Sequence, residues 1–189
     1  MVIEFREETQ QYLLDGIPIP RVTGIIGKFT TPFWHAGLDL KDALEKGQNV
    51  HKTIELYANG NLDTENLHPV LQNYLNQFIA FQQATGLKIE ETEKIIYHKR
   101  LLYAGRLDMI GRIKKRKVLI EIKTGDWHRT YDLQIAGYEL AERSHNRKYN
   151  QTICLLLTEK GFKIKEVTRK DRYDLFLSAL KLYNFLKEV

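Results

Sequence analysis

The sequence predicts a mixed α/β domain, with a central β-sheet flanked by helices and an N-terminal helical elaboration. Its 189 residues are enough to bury one hydrophobic core. Hydrophobic residues make up 43% and charged residues 28% of the chain, which are ordinary values for a globular protein. After short extended pieces, the apolar periodicity is helical from about residue 39 to residue 85, then alternating, and then mixed. Together these observations disfavour a disordered chain, a collagen and a coiled coil.

Residues 1–88 are predicted to contain short extended pieces followed by two helices. The segment up to Phe33 is broken by turn-forming residues, namely Asp15-Gly16, Pro18 and Pro20. A helix is expected from Asp39 to Ala58, because apolar residues recur there at spacings of three and four, and His51 falls on that stripe. A second amphipathic helix is expected from Pro69 to Thr85.

Residues 89–167 are predicted to form the αβ core of a single domain. Alternating apolar residues predict three strands, at 93–98, 101–113 and 118–124, the last two forming a hairpin. A helix at 130–143, a buried strand at 152–158 and an edge strand at 162–167 are expected to follow. The last part, residues 168–189, would supply a closing helix from Asp171 to Lys187.

The composition also bears on location and covalent chemistry. The sequence has no run of about 18 uncharged apolar residues, so we expect no membrane span. The N-terminal residues lack the charged-then-apolar layout of a signal peptide, so we expect a cytoplasmic protein. Cys154 is the only cysteine, which excludes an intrachain disulfide and a four-cysteine iron–sulfur cluster.

Basic residues are concentrated between Lys94 and Lys117. This segment holds nine Lys and Arg residues and one acid, Asp108, so it carries +8 while the whole chain carries +5. A concentrated cationic segment attracts polyanions, of which nucleic acid is the first candidate. The alternative is a solvated hairpin tip around Lys114-Lys115.

Two carboxylates are predicted to meet on the central hairpin. Alternation along the strand at 118–124 places Glu121 and Lys123 on one face. If the hairpin turns symmetrically at Lys114-Lys115, residues whose numbers sum to 229 pair, and Asp108 lies opposite Glu121. Like charges at that position are destabilising unless they share a proton or bind a cation such as Mg²⁺ or Mn²⁺. A buried ion pair of Lys123 with either carboxylate is the alternative.

Three further polar residues are candidates for the same site. Gln134 and Tyr138 are four residues apart on one helix face, where Gln134 could reach a carboxylate or a phosphate and Tyr138 the nucleic-acid backbone. His51 could complete a Mn²⁺ site through a neutral imidazole nitrogen. Each residue also has a structural explanation, which is an ordinary helix face for the first two and a core histidine for the third.

These residues form a pattern of motifs in a fixed order. The pattern consists of Gly47-x-x-x-His51-x-x-x-Glu55, Gly105-x-x-Asp108, Glu121-Ile122-Lys123 and Gln134-x-x-x-Tyr138, after an opening segment from Asp15 to Thr23. It resembles the RecB-like branch of the PD-(D/E)XK nuclease superfamily, and within that branch the phage and mitochondrial genome-maintenance exonucleases. The resemblance extends over residues 12–158 and implies a restriction-endonuclease-like core.

The resemblance implies a role for each matched residue. Mg²⁺ or Mn²⁺, as two ions, would be held by Asp108, Glu121, His51 and the backbone carbonyl of Ile122. Lys123 would orient the water or stabilise charge on the phosphate. Gln134 and Tyr138 would complete the site and position the substrate strand. Contacts to DNA are expected from Arg106, Lys123 and Tyr138.

The function that follows is hydrolysis of DNA phosphodiester bonds, most simply by an exonuclease acting on single strands or duplex ends. Recombination, repair and phage DNA processing are the pathways that the resemblance suggests. The sequence has no P-loop, so a helicase would be a separate chain, as would a recombinase or a single-strand-binding partner. A non-catalytic nucleic-acid-binding module and a restriction-type endonuclease are the alternatives.

Glu93 and the segment from Trp127 to Arg129 lie near the motifs, and each has both a functional and a structural explanation. Glu93 could be an additional metal ligand, although we expect it to be an ordinary strand residue. Trp127, His128 and Arg129 directly follow the Lys123 strand, where they could grip a nucleic-acid strand by stacking and charge or form an exposed loop.

Overall fold

The computed structural model describes residues 1–30 and 40–187 of the chain. The predicted bounds at Phe33 and Asp39 lie outside these residues. The strands are β1 (Ile3–Arg6), β2 (Gln11–Leu14), β3 (Ile17–Ile19), β4 (Lys88–Tyr97), β5 (Ala104–Ile113), β6 (Arg116–Thr124), β7 (Gln151–Thr158) and β8 (Gly161–Glu166). The helices are α1 (Val22–Thr30), α2 (Leu40–Ala58), α3 (Pro69–Thr85), α4 (Thr130–Ser144) and α5 (Arg172–Phe185). Of the helices in these two ranges, none is both long and apolar enough to cross a bilayer.

The strands form two sheets. The first three make a small antiparallel sheet in the order β1-β2-β3, and the other five make the central sheet in the order β4-β5-β6-β7-β8. Neighbouring strands of the central sheet are antiparallel except β6 and β7, which are parallel and are connected through α4. A mixed sheet with helices around it confirms the predicted fold class.

The hairpin of β5 and β6 has the predicted register. Its pairs run from Met109 with Ile120 to Ile113 with Arg116, so each pair sums to 229. The turn consists of Lys114 and Lys115, and Lys114 takes a positive φ of 55°. This register brings Asp108, one residue before the first of these pairs, to the level of Glu121.

Apolar side chains cover both faces of the central sheet. On one face, Val50 and Ile54 of α2 and the aromatic residues of α3 pack against Met109 and Ile120. On the other face, residues of α1, α4 and α5 pack against Ile110 and Leu119. The buried Val50 and Ile54 confirm the predicted stripe of α2, whereas Leu44 is 62% exposed. The stripe therefore faces the sheet mainly along the second half of α2, where His51 lies.

The structure corrects the expectation that residues up to 33 are extended throughout. Residues 22–30 form the helix α1, and its Val22, Ile25 and Ile26 are buried against the face that carries α4 and α5. Spacings of three and four give this helix a continuous apolar side. Its β-branched residues and glycines are typical of strands and turns, which explains why local pattern did not indicate a helix.

The central strands also begin at other residues than expected. β4 starts at Lys88 rather than residue 93, with a register irregularity between Ile89 and Glu91. β5 starts at Ala104 rather than 101, since the preceding residues form a turn in which the His98 ring accepts the backbone N–H groups of Arg100 and Leu101. The irregularity of β4 affects the site described below.

The cationic segment does not form one continuous surface. Three of its basic residues pair with acids of β4: Lys94 with Glu91, Arg106 with Glu93 and Arg112 with Glu90. The basic turn at Lys114-Lys115 lies at the opposite end of the hairpin from Asp108, about 17 Å away for five residues of strand. The turn therefore fits the alternative of a solvated hairpin tip, and attraction of a polyanion to the whole segment is not supported.

Candidate active site

Glu121 is the most deeply buried carboxylate of the site. Its residue has no exposed surface, and its Oε1 atom accepts hydrogen bonds from Lys123 Nζ at 2.7 Å and Gln134 Nε2 at 2.6 Å. Its Oε2 atom is also buried, but it has no hydrogen-bond partner among residues 1–30 and 40–187. An unpaired oxygen of a buried carboxylate is costly, so this atom requires a proton or a cation.

Asp108 lies beside Glu121, where the ladder between β5 and β6 opens. Its Oδ2 atom accepts the backbone N–H of Ile122 at 2.7 Å, and its Oδ1 atom lies 3.4 Å from His51 Nδ1. The N–H and C=O of a residue in an extended strand point to the same edge. The Ile122 carbonyl is therefore directed toward the edge on which Asp108 lies.

Glu93 joins this group, contrary to the expectation of an ordinary strand residue. Its Oε1 atom lies 4.0 Å from His51 Nδ1, and ligand atoms of His51, Glu93 and Asp108 lie within 4.8 Å of one another. The backbone of Glu93 has a φ of 49°, which is far from the β region. That local departure from strand geometry accompanies the irregular register of β4 and explains why simple alternation could not place this side chain.

The charges in the group shift one another's pKa values. Burial, followed by the negative charge of Asp108, raises the pKa of Glu121 to about 7 and that of Glu93 to about 7. Burial opposes ionisation of Asp108 as well, but the charges of His51 and Lys123 hold its pKa below the usual range. Burial would lower the pKa of His51, yet Asp108 outweighs it and raises that pKa to about 9. The group thus keeps protons near neutral pH, because several carboxylates lie close together in a buried place where ionising all of them is unfavourable.

Gln134 and Tyr138 reach the site from α4, as their spacing predicts. Gln134 Nε2 donates to Glu121 Oε1 and also lies 2.9 Å from the Tyr138 hydroxyl, to which it donates. Tyr138 is only 3% exposed, and a Cβ atom at Gly105 would lie 2.5 Å from its ring. The glycine that precedes Asp108 by three residues therefore makes room for Tyr138. Gln134 reaches a site carboxylate, which is the first of the two partners considered for it.

Lys123 and Arg106 border the carboxylates on two sides. The Lys123 ammonium lies between Glu121 and the face of Tyr131, 5.2 Å from the ring centroid. Arg106 is 2.8 Å from Glu93 Oε2 and stacks on Phe5 of β1, with 42% of its side chain exposed. A buried ion pair of Lys123 with a carboxylate was the alternative to a metal site in the sequence analysis, and the structure contains such a pair with Glu121. It nevertheless leaves Glu121 Oε2 without a partner in the described part of the chain.

Glu55, from the motif that contains His51, does not reach this group. It pairs with Lys52 on the same helix at 2.9 Å. The residues brought together are thus His51, Glu93, Asp108, Glu121, Lys123, Gln134 and Tyr138, with Arg106 at the edge.

The donor set fits a hard divalent cation. Carboxylate oxygens and a backbone carbonyl suit Mg²⁺ and Mn²⁺, and Mn²⁺ also accepts an imidazole nitrogen. The buried Glu121 Oε2 supports this fit, because it is an acceptor with no hydrogen-bond partner among the described residues. Hydrogen bonds from Lys123 and Gln134 to Oε1 hold the same carboxylate in place. Residues for an iron–sulfur cluster are missing, since Cys154 is the sole cysteine of the chain.

Comparisons with known proteins find similarity in structure and none in sequence. No protein-family model matches the chain, and no curated protein matches it in sequence. Among solved structures, the chain is similar to a protein of Eubacterium rectale named "putative exonuclease", with a TM-score of 0.51, 12% identity, and coverage of 88% of this chain and 71% of that one. It is also similar to the alkaline exonuclease LHK-Exo of Laribacter hongkongensis in complex with dAMP, with a TM-score of 0.41, 15% identity, and coverage of 90% and 92%.

The first of these similarities establishes the fold. At 12% identity the two chains share a mixed α/β architecture with a central mixed sheet flanked by helices.

Proposed function

We propose that this chain is a metal-dependent deoxyribonuclease, an exonuclease that hydrolyses phosphodiester bonds in single-stranded DNA or at duplex ends. The observation that carries the proposal is the site itself: His51, Glu93 and Asp108 form a close group, and beside it Glu121 pairs with Lys123 through Oε1 while its buried Oε2 has no hydrogen-bond partner among the described residues. Acids grouped with so little solvent are costly in a purely structural role. The name of the Eubacterium rectale neighbour supports the same activity.

The ions, Mg²⁺ or Mn²⁺ and two in number, would be held by Asp108, Glu121, His51 and the Ile122 carbonyl. Glu93 is a further candidate ligand, because it shares the group with His51 and Asp108. Bound there, divalent ions would lower the pKa of water and neutralise charge on the phosphate and on the leaving oxygen.

The residues of the chain would divide the remaining work. In the reaction, a water molecule loses a proton to solvent as its oxygen forms a bond to phosphorus, the bond from phosphorus to the 3′ oxygen breaks, and that oxygen takes a proton from solvent. Lys123 supplies a fixed positive charge where negative charge grows on the phosphate, which is where stabilisation accelerates a reaction. Gln134 holds one oxygen of Glu121 so that the other stays available. The Ile122 N–H fixes the orientation of Asp108 in the same way.

Arg106, at the exposed edge, would contact a DNA phosphate when the ion pair with Glu93 loosens. Tyr138 is buried, so its part in holding the substrate strand would be indirect, through Gln134. We place this activity in cytoplasmic recombination, repair or phage DNA processing, where a helicase, recombinase or single-strand-binding protein would act as a separate partner.

The proposal is tested by digestion of end-labelled linear DNA, single- and double-stranded, beside closed circular DNA. Each substrate is incubated with Mg²⁺, with Mn²⁺ and with EDTA. The variants are Lys123→Met, which keeps the aliphatic stem but removes the charge, and Lys52→Met as a matched control on the exposed face of α2. We expect metal-dependent loss of linear DNA only, abolished by the first substitution and unchanged by the second.

Each other outcome points to a different function. Cutting of circles would identify an endonuclease. DNA binding without cleavage under any metal would identify a non-catalytic module, and full activity of Lys123→Met or activity in EDTA would contradict the proposed site.

A further inference from the structure

Two aromatic residues continue the active site beyond Lys123. Tyr131, at the start of α4, lies under the Lys123 ammonium, and the Trp127 ring meets Tyr131 edge-on with centroids 5.6 Å apart. On the far side of Trp127, Lys165 Nζ lies 5.8 Å from its ring centroid. We call Lys123, Tyr131, Trp127 and Lys165 the aromatic row.

The aromatic row starts where a ligand is expected in this topology. The segment 125–129 leaves the carboxyl end of β6, next to the carboxyl end of the parallel strand β7. Gly125 N–H donates to the Leu157 carbonyl at 2.9 Å, which ties the segment to β7. Crevices outside the carboxyl ends of parallel strands are the usual ligand sites of α/β sheets.

His128 has a structural role in this segment. Its Nδ1 atom accepts the backbone N–H of Thr130 at 3.2 Å and lies 2.9 Å from the Thr130 hydroxyl, so it caps the start of α4. Burial lowers its pKa to about 4, and the ring is neutral at physiological pH. The residues of this segment that face outward with chemistry to offer a nucleic acid are therefore Trp127 and Arg129.

Trp127 and Tyr131 are held from behind and accessible in front. Both pack against a small buried cluster that includes Ile135 and Leu156, yet both remain partly exposed. The Tyr131 hydroxyl makes no hydrogen bond to any residue of 1–30 and 40–187, and Arg129 is exposed with no ion pair in the same ranges. Partly exposed rings that are held by the cluster behind them suit stacking, because little side-chain freedom is lost on binding.

We propose that Trp127 and Tyr131 form a stacking platform for the unpaired bases next to the scissile phosphate, and that Arg129 and Lys165 contact the flanking phosphates. This inference rests on the proposed function for the identity of the substrate as DNA. Aromatic rings interleaved with cations are the features by which proteins hold single strands without reading sequence. The substrate class is then a single strand or a frayed end, since bases inside a duplex already have both faces covered by their neighbours.

The first test measures binding without cleavage. Anisotropy of a fluorescently labelled oligothymidylate is followed in EDTA with the full-length protein. Stacking of one base is worth about five- to 150-fold in affinity, so we expect Trp127→Ala to bind that much more weakly. Trp127→Phe, which keeps a ring, should retain most of the affinity, and a thermal melt of each variant checks that the cluster behind Trp127 remains folded.

A second measurement separates stacking from indirect effects of the substitution. An abasic position is moved along the oligonucleotide, and each substrate is titrated against wild type and Trp127→Ala. At one or two positions the missing base should weaken binding to wild type as much as the substitution does, and should weaken binding to Trp127→Ala no further. Independent, additive losses at every position would overturn the inference, as would wild-type affinity of Trp127→Ala or no DNA binding at all.

These outcomes are distinguishable from a failure of the proposed function. Because binding is measured in EDTA, a protein that stacks bases but cleaves nothing would contradict the nuclease and leave the platform intact. A protein that digests DNA but shows no coupling between Trp127 and any base would support the nuclease and contradict the stacking platform.

Discussion

Removing the side-chain amide of Gln134 should change the pH at which the site binds metal. We consider Gln134→Met, which keeps the length of the side chain but donates no hydrogen bond. The substitution removes the 2.6 Å bond to Glu121 Oε1, a carboxylate whose pKa is already raised to about 7. A hydrogen bond to a charged group contributes about 1.5–3 kcal/mol, and its loss should raise the Glu121 pKa by about one to two pH units.

This shift predicts a loss of metal affinity that depends on pH. At pH 7 about half of the wild-type Glu121 is ionised, whereas about 1–10% would be ionised in the variant, so the dissociation constant for Mn²⁺ should rise about 5- to 50-fold. At pH 9.5 Glu121 is largely ionised in both proteins, and the difference in dissociation constant should shrink to less than about 1.5-fold. Ionisation of His51, whose pKa is about 9, affects both proteins alike and cancels in their ratio.

Isothermal titration with Mn²⁺ from pH 6 to pH 9.5 measures this ratio. Gln82→Met is the matched control, because Gln82 lies outside the site, where it donates a 3.4 Å bond to the Leu87 carbonyl and accepts one from the Tyr57 hydroxyl. The same fold loss at every pH would refute the reasoning, since it would mean that Gln134 acts on the geometry of the site and not on the ionisation of Glu121.

Three further predictions follow from the contacts of the site. Gly105→Ala would place a methyl group 2.5 Å from the Tyr138 ring and should lower the free energy of unfolding by about 1–3 kcal/mol, measured by urea denaturation. Glu93→Gln removes one charge from the group and should weaken Mn²⁺ binding about tenfold in titration calorimetry. Without metal, thermal stability should fall as the pH rises from about 5 to 9. Glu121 and His51 both have raised pKa values, of about 7 and about 9, so each stabilises the fold while protonated and loses that contribution as its proton leaves.

Controls make each of these results specific. Gly27→Ala should not destabilise the protein, because a Cβ atom there would meet nothing within 4 Å. Glu90→Gln should leave Mn²⁺ binding unchanged, since Glu90 pairs with Arg112 outside the group. In the melting experiment, Mg²⁺ should stabilise the protein more at pH 8.5 than at pH 5.5, and a melting temperature that rises with pH in EDTA would contradict the assigned shifts.

The register of the central hairpin was predictable from local information. A two-residue turn at Lys114-Lys115 fixes every pair of an antiparallel hairpin, and alternation then fixes the faces. The joint presence of Gln134 and Tyr138 was predictable for a similar reason, because residues four apart on a helix share a face. Both predictions concern residues whose relative positions depend on one element or one turn.

The parts that sequence could not supply depend on packing between elements. The helix α1 is stabilised by burial of Val22, Ile25 and Ile26 against other helices. Its glycines and β-branched residues are locally more typical of turns and strands. Glu93 enters the site through a positive φ at an irregular point of β4, which no periodicity shows. Likewise, the positive charge of the Lys114-Lys115 turn does not indicate whether the turn lies near the carboxylates of the site or at the opposite end of the central sheet.

The position of His51 was predictable within its own helix but not relative to the other elements of the site. Its place on the apolar stripe of α2 was predictable, but its 3.4 Å distance from Asp108 depends on how α2 crosses the sheet. That crossing also brings Gly47, one turn earlier on α2, close to the end of β6, where a Cβ atom on Gly47 would be in ordinary contact with the Thr124 hydroxyl at 3.6 Å.

The buried cysteine has a practical consequence for measuring motion at the site. Cys154 is fully enclosed in β7, and burial raises the pKa of its thiol to about 12, so it reacts poorly with maleimides and nitroxide reagents. A reporter thiol introduced at an exposed position, such as Lys160 after the carboxyl end of β7 or Lys115 in the hairpin turn, can therefore be labelled selectively in the otherwise unaltered chain. Dyes or spin labels attached at these two places would report how the two ends of the central sheet move when metal and DNA bind.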